Sequence, residues 1–186
     1  IEIKVYLDQQ EWISAYGDAE QEDELVECRN RATTSAGLRN CGYNNYLFSK
    51  MLVHAGIEVR FKTYAYRWNH AYAVQMHSKY LIVDGTELIS GSYNLSMNAE
   101  HNSFENAIHV SGPQFKTVVA AFEDNFAAMW ETGRAPDLLA SLRDEVSSSS
   151  SIPLVFPSMA LTWSEVDQLR FLIRQNCSLA DSPGYP

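Results

Sequence analysis

The sequence predicts an α/β domain in which a mixed β-sheet is flanked by helices. Short runs that alternate apolar and polar residues recur through the first 112 residues and are typical of strands. Segments 44–56 and 113–133 instead have the period of amphipathic helices. The dipeptide Asp84-Gly85 lies between two strand runs and indicates a hairpin. Interleaved helices and strands favour a sheet covered by helices.

The first elements follow in order from residue 1. The run "IEIKVYL" predicts a strand, and the stretch 12–45 reads as an acidic and then polar insertion. Within this insertion, "DAEQEDELVE" predicts a helix with a solvated face. "NNYLFSKMLVHAG" predicts a helix that ends at Gly56, since glycine commonly follows the last turn. "IEVRFKTY" predicts the next strand.

Three strands and a long helix are predicted after residue 75. "MHSKYLIVDG" and "TELISGSYN" form the two sides of the hairpin, and "ENAIHVSG" is a further strand that ends at Gly-Pro. The helix over 113–133 ends at Gly133, and its phenylalanines and methionine are expected in the core. Its predicted apolar stripe comprises Val118, Phe122, Phe126, Met129 and Trp130.

The C-terminal part has a different composition. Five consecutive serines at 147–151, followed by a proline-containing stretch, predict a linker over 136–157. Beyond it, Thr162 and Glu165 have the spacing of a capping box before an apolar face, which predicts a final helix. We therefore expect a main domain over 1–135 with an insertion at 12–45, the linker, and a helical extension over 158–186.

Composition excludes several classes of protein. A hydrophobic content of 46% and a charged content of 20% indicate a globular chain, and no apolar run reaches the roughly 20 residues of a membrane span. The net charge of −9 disfavours a general nucleic-acid-binding surface, which would be basic. The chain opens directly on a strand pattern without Met, so we expect its N-terminus to lie inside a longer polypeptide.

The three cysteines leave two alternatives open. Cys28 and Cys41 flank a polar stretch and could close it with a disulfide, which would stabilise the fold by about 3 kcal/mol and favour an extracytoplasmic or secreted location. Alternatively, both are ordinary thiols, since Cys177 is left over. No Cys and His spacing is typical of a zinc site.

Polar residues in the hairpin suggest a site for a tetrahedral anion. His77 and Lys79 are two apart and share one face of a predicted strand, and Ser92 and Asn94 share a face of the next. The Asp84-Gly85 turn would bring these four residues together. Lysine, asparagine and serine donate hydrogen bonds to phosphate oxygens, while histidine can attack or transfer a proton. Glu105, on the following predicted strand, could fix the histidine tautomer.

The same residues carry a resemblance to a known family. The pattern HxKx4D followed by x6GSxN is matched by six residues, and the chain therefore resembles the phospholipase D superfamily in its HKD motif. The matching residues are His77, Lys79, Asp84, Gly91, Ser92 and Asn94. "ENAIHV" and the helix ending "FAAMWE" extend the likeness, which covers roughly residues 50–132.

This resemblance implies a fold and a chemistry. The fold is one HKD half of a phospholipase D-like α-β-α sandwich. The activity is metal-independent and cofactor-independent phosphodiester cleavage through a phosphohistidine. His77 would be the nucleophile or the acid, Lys79 and Asn94 would bind the phosphate with help from Ser92, and Glu105 would orient His77. Asp84 and Gly91 would be structural.

The family uses two HKD motifs per active site, and this sequence has one. We expect the second motif to come from an N-terminal half not included in the chain or from a homodimer partner. The aromatic segment 63–75 either packs between strands or forms an active-site rim. The rim residues would be Arg67 and His70, and Tyr93 is a further candidate for substrate binding.

Three functions remain open at this point. The acidic surface and the aromatic segment favour hydrolysis or transphosphatidylation of a phospholipid. An HKD-type endonuclease is the alternative, although it would require a basic groove. A catalytically inactive binding domain is disfavoured because the six motif residues and Glu105 are all present.

Overall fold

A computed structural model describes residues 1–9, 18–44, 50–65, 75–94, 97–148 and 155–176. It confirms a mixed α/β fold with helices beside two three-stranded sheets. Internal contacts divide the chain into one unit of residues 1–75 and 132–186 and a second unit of Met76–Glu131.

The first unit contains a mixed sheet. Its strands are β1 (Lys4–Asp8), β2 (Glu58–Ala65) and β6 (Val155–Thr162). The central strand β2 pairs in parallel with β1 and antiparallel with β6. Its inward residues Val59 and Phe61 are almost completely buried, as the alternation of "IEVRFKTY" predicts.

The helices of the first unit lie before, between and after these strands. In chain order they are α1 (Asp18–Arg31), α2 (Ser35–Asn44), α3 (Lys50–His54), α6 (Pro136–Ser148) and α7 (Trp163–Asn176). Leu142 of α6 and Val166 and Leu169 of α7 complete the core over the sheet. Within the insertion the sequence correctly predicts α1 but not α2, and residues 45–49 of the predicted helix 44–56 lie outside the described part.

Cys28 and Cys41 form a disulfide between α1 and α2. This settles the two alternatives for these cysteines in favour of the bridge, whose two residues are 13 apart in sequence. Cys41 of this bridge and Leu25 of α1 are both buried and belong to one apolar cluster. Cys177 lies outside the described residues.

The predicted linker over 136–157 is wrong in its secondary structure. Residues 136–148 form α6 and residues 155–162 form β6, and only 149–154 between them lie outside the described part. Serine has a moderate helix propensity, so a serine run can continue a helix whose apolar face is buried. The boundaries proposed for the domains stay a prediction.

The capping box of α7 is confirmed in detail. The Thr162 amide donates a hydrogen bond to Glu165 Oε2 over 2.8 Å, and the Glu165 amide donates back to Thr162 Oγ1 over 3.4 Å. Arg134 Nη1 also donates to Glu165 Oε2 over 2.6 Å and to the Ala160 carbonyl over 3.0 Å. Glu165 therefore ties the start of α7 to the segment before α6.

The second unit contains an antiparallel sheet of β3 (Tyr80–Val83), β4 (Glu87–Gly91) and β5 (Ala107–Ser111), in that order. The short helix α4 (Met97–Asn102) joins β4 to β5, and a 3₁₀ turn (Pro113–Phe115) leads into α5 (Lys116–Trp130). Tyr80 of β3 packs edge-on against Phe122 of α5, with ring centroids 5.0 Å apart.

The apolar stripe of α5 differs by one residue from the prediction. Val119 is buried, whereas Val118 is 44% exposed. Val119 fits the spacing of three or four residues to Phe122 and Phe126, and Val118 is rotated away from that line by about 100°. Trp130 is buried as expected, while Phe122, Phe126 and Met129 are only partly buried.

Candidate active site

The hairpin turn lies at the end of the sheet remote from the predicted nucleophile. Asp84 and Gly85 both have positive φ, at 49° and 64°, and lie in the three-residue connection between Val83 and its pairing partner Glu87. The Thr86 amide closes the turn by donating to the Val83 carbonyl over 3.0 Å. Asp84 is exposed there. Its position agrees with a structural role in the turn.

His77 and Lys79 precede β3 instead of lying within it. Regular pairing begins only at Tyr80, so strand alternation does not set the direction of these two side chains as the sequence predicted. The Lys79 Nζ donates to the His77 carbonyl over 2.9 Å, which folds the ammonium back over this segment. The His77 side chain is exposed. A substrate can therefore reach this imidazole without any movement of the sheet.

The pKa of Lys79 is lowered. Partial burial is the larger cause, because it disfavours the charged ammonium, and the carboxylate of Glu105 opposes the shift. Glu105 is thus close enough to act electrostatically on Lys79, although it lies just before β5 and not within it.

Ser92 and Glu105 are joined directly. Ser92 Oγ donates to Glu105 Oε2 over 2.5 Å and accepts a hydrogen bond from the Asn106 amide over 3.1 Å. The Ser92 amide donates to the Asn106 carbonyl over 3.0 Å, which continues the β4–β5 ladder by one step. The serine hydroxyl therefore holds the carboxylate in place. The orientation of His77 by Glu105 stays a prediction.

Gly91 allows the strands to approach closely at this point. A Cβ at Gly91 would lie 2.8 Å from Ala107 Cα and 2.9 Å from Asn106 C, and closer still to Asn106 O. The Gly91 amide donates to the Lys79 carbonyl over 3.3 Å on the other side. The glycine of the motif is thus required by packing between its neighbours.

The remaining predicted site residues either follow β4 or lie outside the described part of the chain. Asn94 is exposed and Tyr93 is half-buried, and both follow β4 at the same end of the sheet as Lys79. Arg67 and His70 lie outside the described residues. The predicted roles of these four residues in binding stay predictions.

An open pocket of about 430 Å³ lies beside His77 within the second unit. One side is formed by His77, Ser78 and Lys79, with Tyr80, Ser90 and Gly91 next to them. The opposite side is formed by Ala121, Phe122 and Asn125 of α5. A cavity of this size accommodates a small ligand.

The wall formed by α5 was missed in the sequence. Tyr80 OH donates to Asn125 Oδ1 over 3.1 Å, and this bond links β3 to the helix beside the pocket. Phe122 and Asn125 are three residues apart and so share one side of α5, which is the signal that could have identified them. Neither residue belongs to the motif.

Two features are absent from the described residues. No group of three or more His, Cys, Asp or Glu in that part of the chain is arranged to hold a metal ion. None of its helices is long and apolar enough to cross a membrane.

Comparison with known proteins adds a family and a relative. The family described as "Cardiolipin synthase, PLD-like domain" matches residues 4–130. A mitochondrial cardiolipin hydrolase of Danio rerio is 36% identical to the chain over 84 residues. That alignment covers 45% of the chain and 33% of the relative, so the chain spans about a third of the relative's length.

Proposed function

Because the chain belongs to the phospholipase D-like family whose model matches residues 4–130, we propose that it is a phosphodiesterase in which His77 acts on phosphorus. The observation that carries this proposal is the pocket beside the motif. His77 and Lys79 line the same open cavity, and His77 is exposed to it. A nucleophile and a cation thus face one space of suitable size for a phosphodiester group.

The reaction proceeds in two displacements. His77 attacks phosphorus, a P–N bond forms, and the P–O bond to the leaving alcohol breaks while a second histidine supplies the proton to that oxygen. Water then attacks phosphorus and releases His77, or an alcohol does so and gives transfer. Lys79 and Asn94 bind the non-bridging oxygens as charge develops on them. No metal ion is needed for these steps.

Glu105 and Ser92 support the nucleophile in this scheme. The Glu105 carboxylate accepts the Ser92 hydroxyl at Oε2, and its other oxygen remains able to accept the proton on the far nitrogen of His77. That hydrogen bond would fix the tautomer and stabilise the charged imidazole.

A phospholipid is the preferred substrate class. The relative carries the name cardiolipin hydrolase. The net charge of −9 is unfavourable for binding along the negatively charged backbone of a nucleic acid. The second histidine comes from a further HKD motif, either in another copy of the chain or in another part of a longer polypeptide. The Cys28–Cys41 disulfide supports an oxidising compartment for the protein.

The test is turnover of cardiolipin, phosphatidylcholine and single-stranded DNA in EDTA. We expect lipid cleavage by the wild type and a loss of about 10³-fold or more in His77→Ala. His109→Ala is the matched control, because His109 is an exposed histidine of β5 paired with Glu87 over 2.8 Å and outside the pocket.

Each proposed feature has its own contrary result. Undiminished turnover in His77→Ala would remove His77 from the mechanism, and loss of turnover in EDTA would refute metal independence. Cleavage of DNA but not lipid would establish the endonuclease instead. Adding an excess of inactive His77→Ala to the wild type distinguishes the sources of the second motif. In a site shared by a dimer the mixed dimers lack one of the two histidines, so wild-type activity falls, whereas a site completed within one polypeptide is unaffected.

A further inference from the structure

The pocket beside His77 is larger than a phosphoryl group requires. If each heavy atom occupies no more than the roughly 30 Å³ of a liquid water molecule, the five atoms of the phosphoryl group fill about 150 Å³. The pocket measures about 430 Å³, so most of it remains for a substituent of the phosphate. That remaining space adjoins α5.

The charges of the pocket favour some substituents over others. Lys79 and His77 are the ionisable bases among its described lining residues, and no carboxylate is among them. An anionic phosphate is attracted to such a site, whereas a substituent with a fixed positive charge would be repelled by the Lys79 ammonium, because the nearby Glu105 carboxylate is not among the residues that line the pocket. An uncharged substituent avoids this repulsion.

Asn125 supplies the directional polar group on the α5 side. Tyr80 OH donates to its Oδ1 over 3.1 Å, which orients the amide and leaves both Nδ2 protons for other acceptors. The Tyr80 ring is itself fixed by its edge-on contact with Phe122. The amide is thus preorganised to donate to an oxygen in the pocket.

We propose that Asn125, oriented by Tyr80, is a specificity-determining residue that binds the alcohol substituent of the phosphodiester and selects an uncharged, hydroxylated group over a cationic one. This inference rests on the proposed function for its place in catalysis. The hydroxyl oxygens of a polyol accept from Nδ2, and Phe122 contacts its carbon atoms.

The experiment measures binding of three soluble probes to the full chain. Glycerol 3-phosphate and propyl phosphate have the same charge and differ in hydroxyl groups, while phosphocholine carries a fixed cation. We expect the wild type to bind glycerol 3-phosphate about fivefold more tightly than propyl phosphate, which is the effect of one neutral hydrogen bond. Phosphocholine should bind about tenfold more weakly than glycerol 3-phosphate.

Two variants test the residues themselves. In Asn125→Ala we expect the preference for glycerol 3-phosphate over propyl phosphate to disappear, with propyl phosphate binding unchanged within about twofold. Tyr80→Phe keeps the ring and should lose part of the preference. Gln114→Ala is the matched control, because this exposed amide precedes the same helix and donates to the Ser111 carbonyl outside the pocket.

The same discrimination is then measured in turnover with short-chain phosphatidylglycerol and phosphatidylpropanol. The inference is overturned if the wild type shows no preference between glycerol 3-phosphate and propyl phosphate, if no probe binds, or if Asn125→Ala weakens both equally. Selective binding through Asn125 without lipid turnover would refute the proposed function and support the subsite. Turnover dependent on His77 with unaltered selectivity in Asn125→Ala would refute the subsite alone.

Discussion

Replacing Gly91 by alanine introduces a methyl group where the end of β4 lies against the backbone that leads into β5. The new Cβ would lie 2.8 Å from Ala107 Cα and 2.9 Å from Asn106 C. Both neighbours are backbone atoms of the adjacent strand and cannot rotate away as a side chain could. Reaching an ordinary contact of about 3.4 Å therefore requires the strands to separate by at least half an ångström.

The separation would break the hydrogen bonds that continue the ladder into the site. The Ser92 amide lies 3.0 Å from the Asn106 carbonyl, and an increase of more than half an ångström takes this pair beyond hydrogen-bonding distance. Overpacking costs about 1–3 kcal/mol, and the lost hydrogen bond adds about 1 kcal/mol. We expect a loss of about 2–4 kcal/mol, or roughly 5–15 °C in the midpoint of thermal unfolding.

The assay combines thermal unfolding with turnover of the best lipid substrate. Displacement of Ser92 would also displace Glu105, so we expect a loss of activity on the order of 10²-fold at temperatures where the variant is folded. Gly37→Ala is the control, because its Cβ would meet chiefly the Thr34 hydroxyl at 3.2 Å and a helix gains from alanine. Wild-type stability and activity in Gly91→Ala would refute the reasoning.

Three further predictions concern the pH and redox behaviour of the chain. Reduction of Cys28–Cys41, or the Cys28→Ser/Cys41→Ser variant, should lower stability by about 3 kcal/mol in denaturant unfolding, and an unchanged midpoint would contradict it. Burial raises the pKa of Glu165, but hydrogen bonds from Arg134 and Thr162 outweigh it and leave the pKa below its ordinary value. The stability due to Glu165 should therefore be complete above the unfolded pKa and vanish as pH falls through the lower, folded pKa. The stabilities of wild type and Glu165→Gln should approach each other over that fall in pH, and a difference that does not change with pH would contradict the prediction. Burial lowers the pKa of Lys79, and the Glu105 carboxylate opposes this shift. Removing that charge in Glu105→Gln should lower the Lys79 pKa further and so move the alkaline limb of the kcat/KM profile to lower pH. An unmoved limb would contradict the prediction.

Local signals predicted the elements whose cause is local. Asp84-Gly85 specifies its turn because both residues tolerate positive φ, and Thr162 with Glu165 specifies a helix start because each satisfies the other's amide. The motif spacing likewise identified His77, Lys79 and Gly91, which line one side of the pocket. None of these features depends on a distant part of the chain.

The elements that were missed depend on distant partners. The strand β6 contains Pro157, which disfavours a paired strand, and only its pairing with β2 identifies it. The register between these strands shifts between Thr63 and Ala65, where Pro157 needs no ladder hydrogen bond. Similarly, α6 begins with Pro136 and buries Leu142, but the serine run at its end concealed these helix signals.

The position of the site at the end of the strands follows from what each group must do. Backbone hydrogen bonds hold Lys79 to Gly91 and Ser92 to Asn106, and through Ser92 they also fix the carboxylate of Glu105. His77 lies two residues before Lys79, outside these hydrogen bonds, and its side chain is exposed. A nucleophile needs access to phosphorus, whereas the groups that orient it need rigidity. Because β3 begins only at Tyr80, the site has both, and a His77 within the strand, as the sequence predicted, would have had less access.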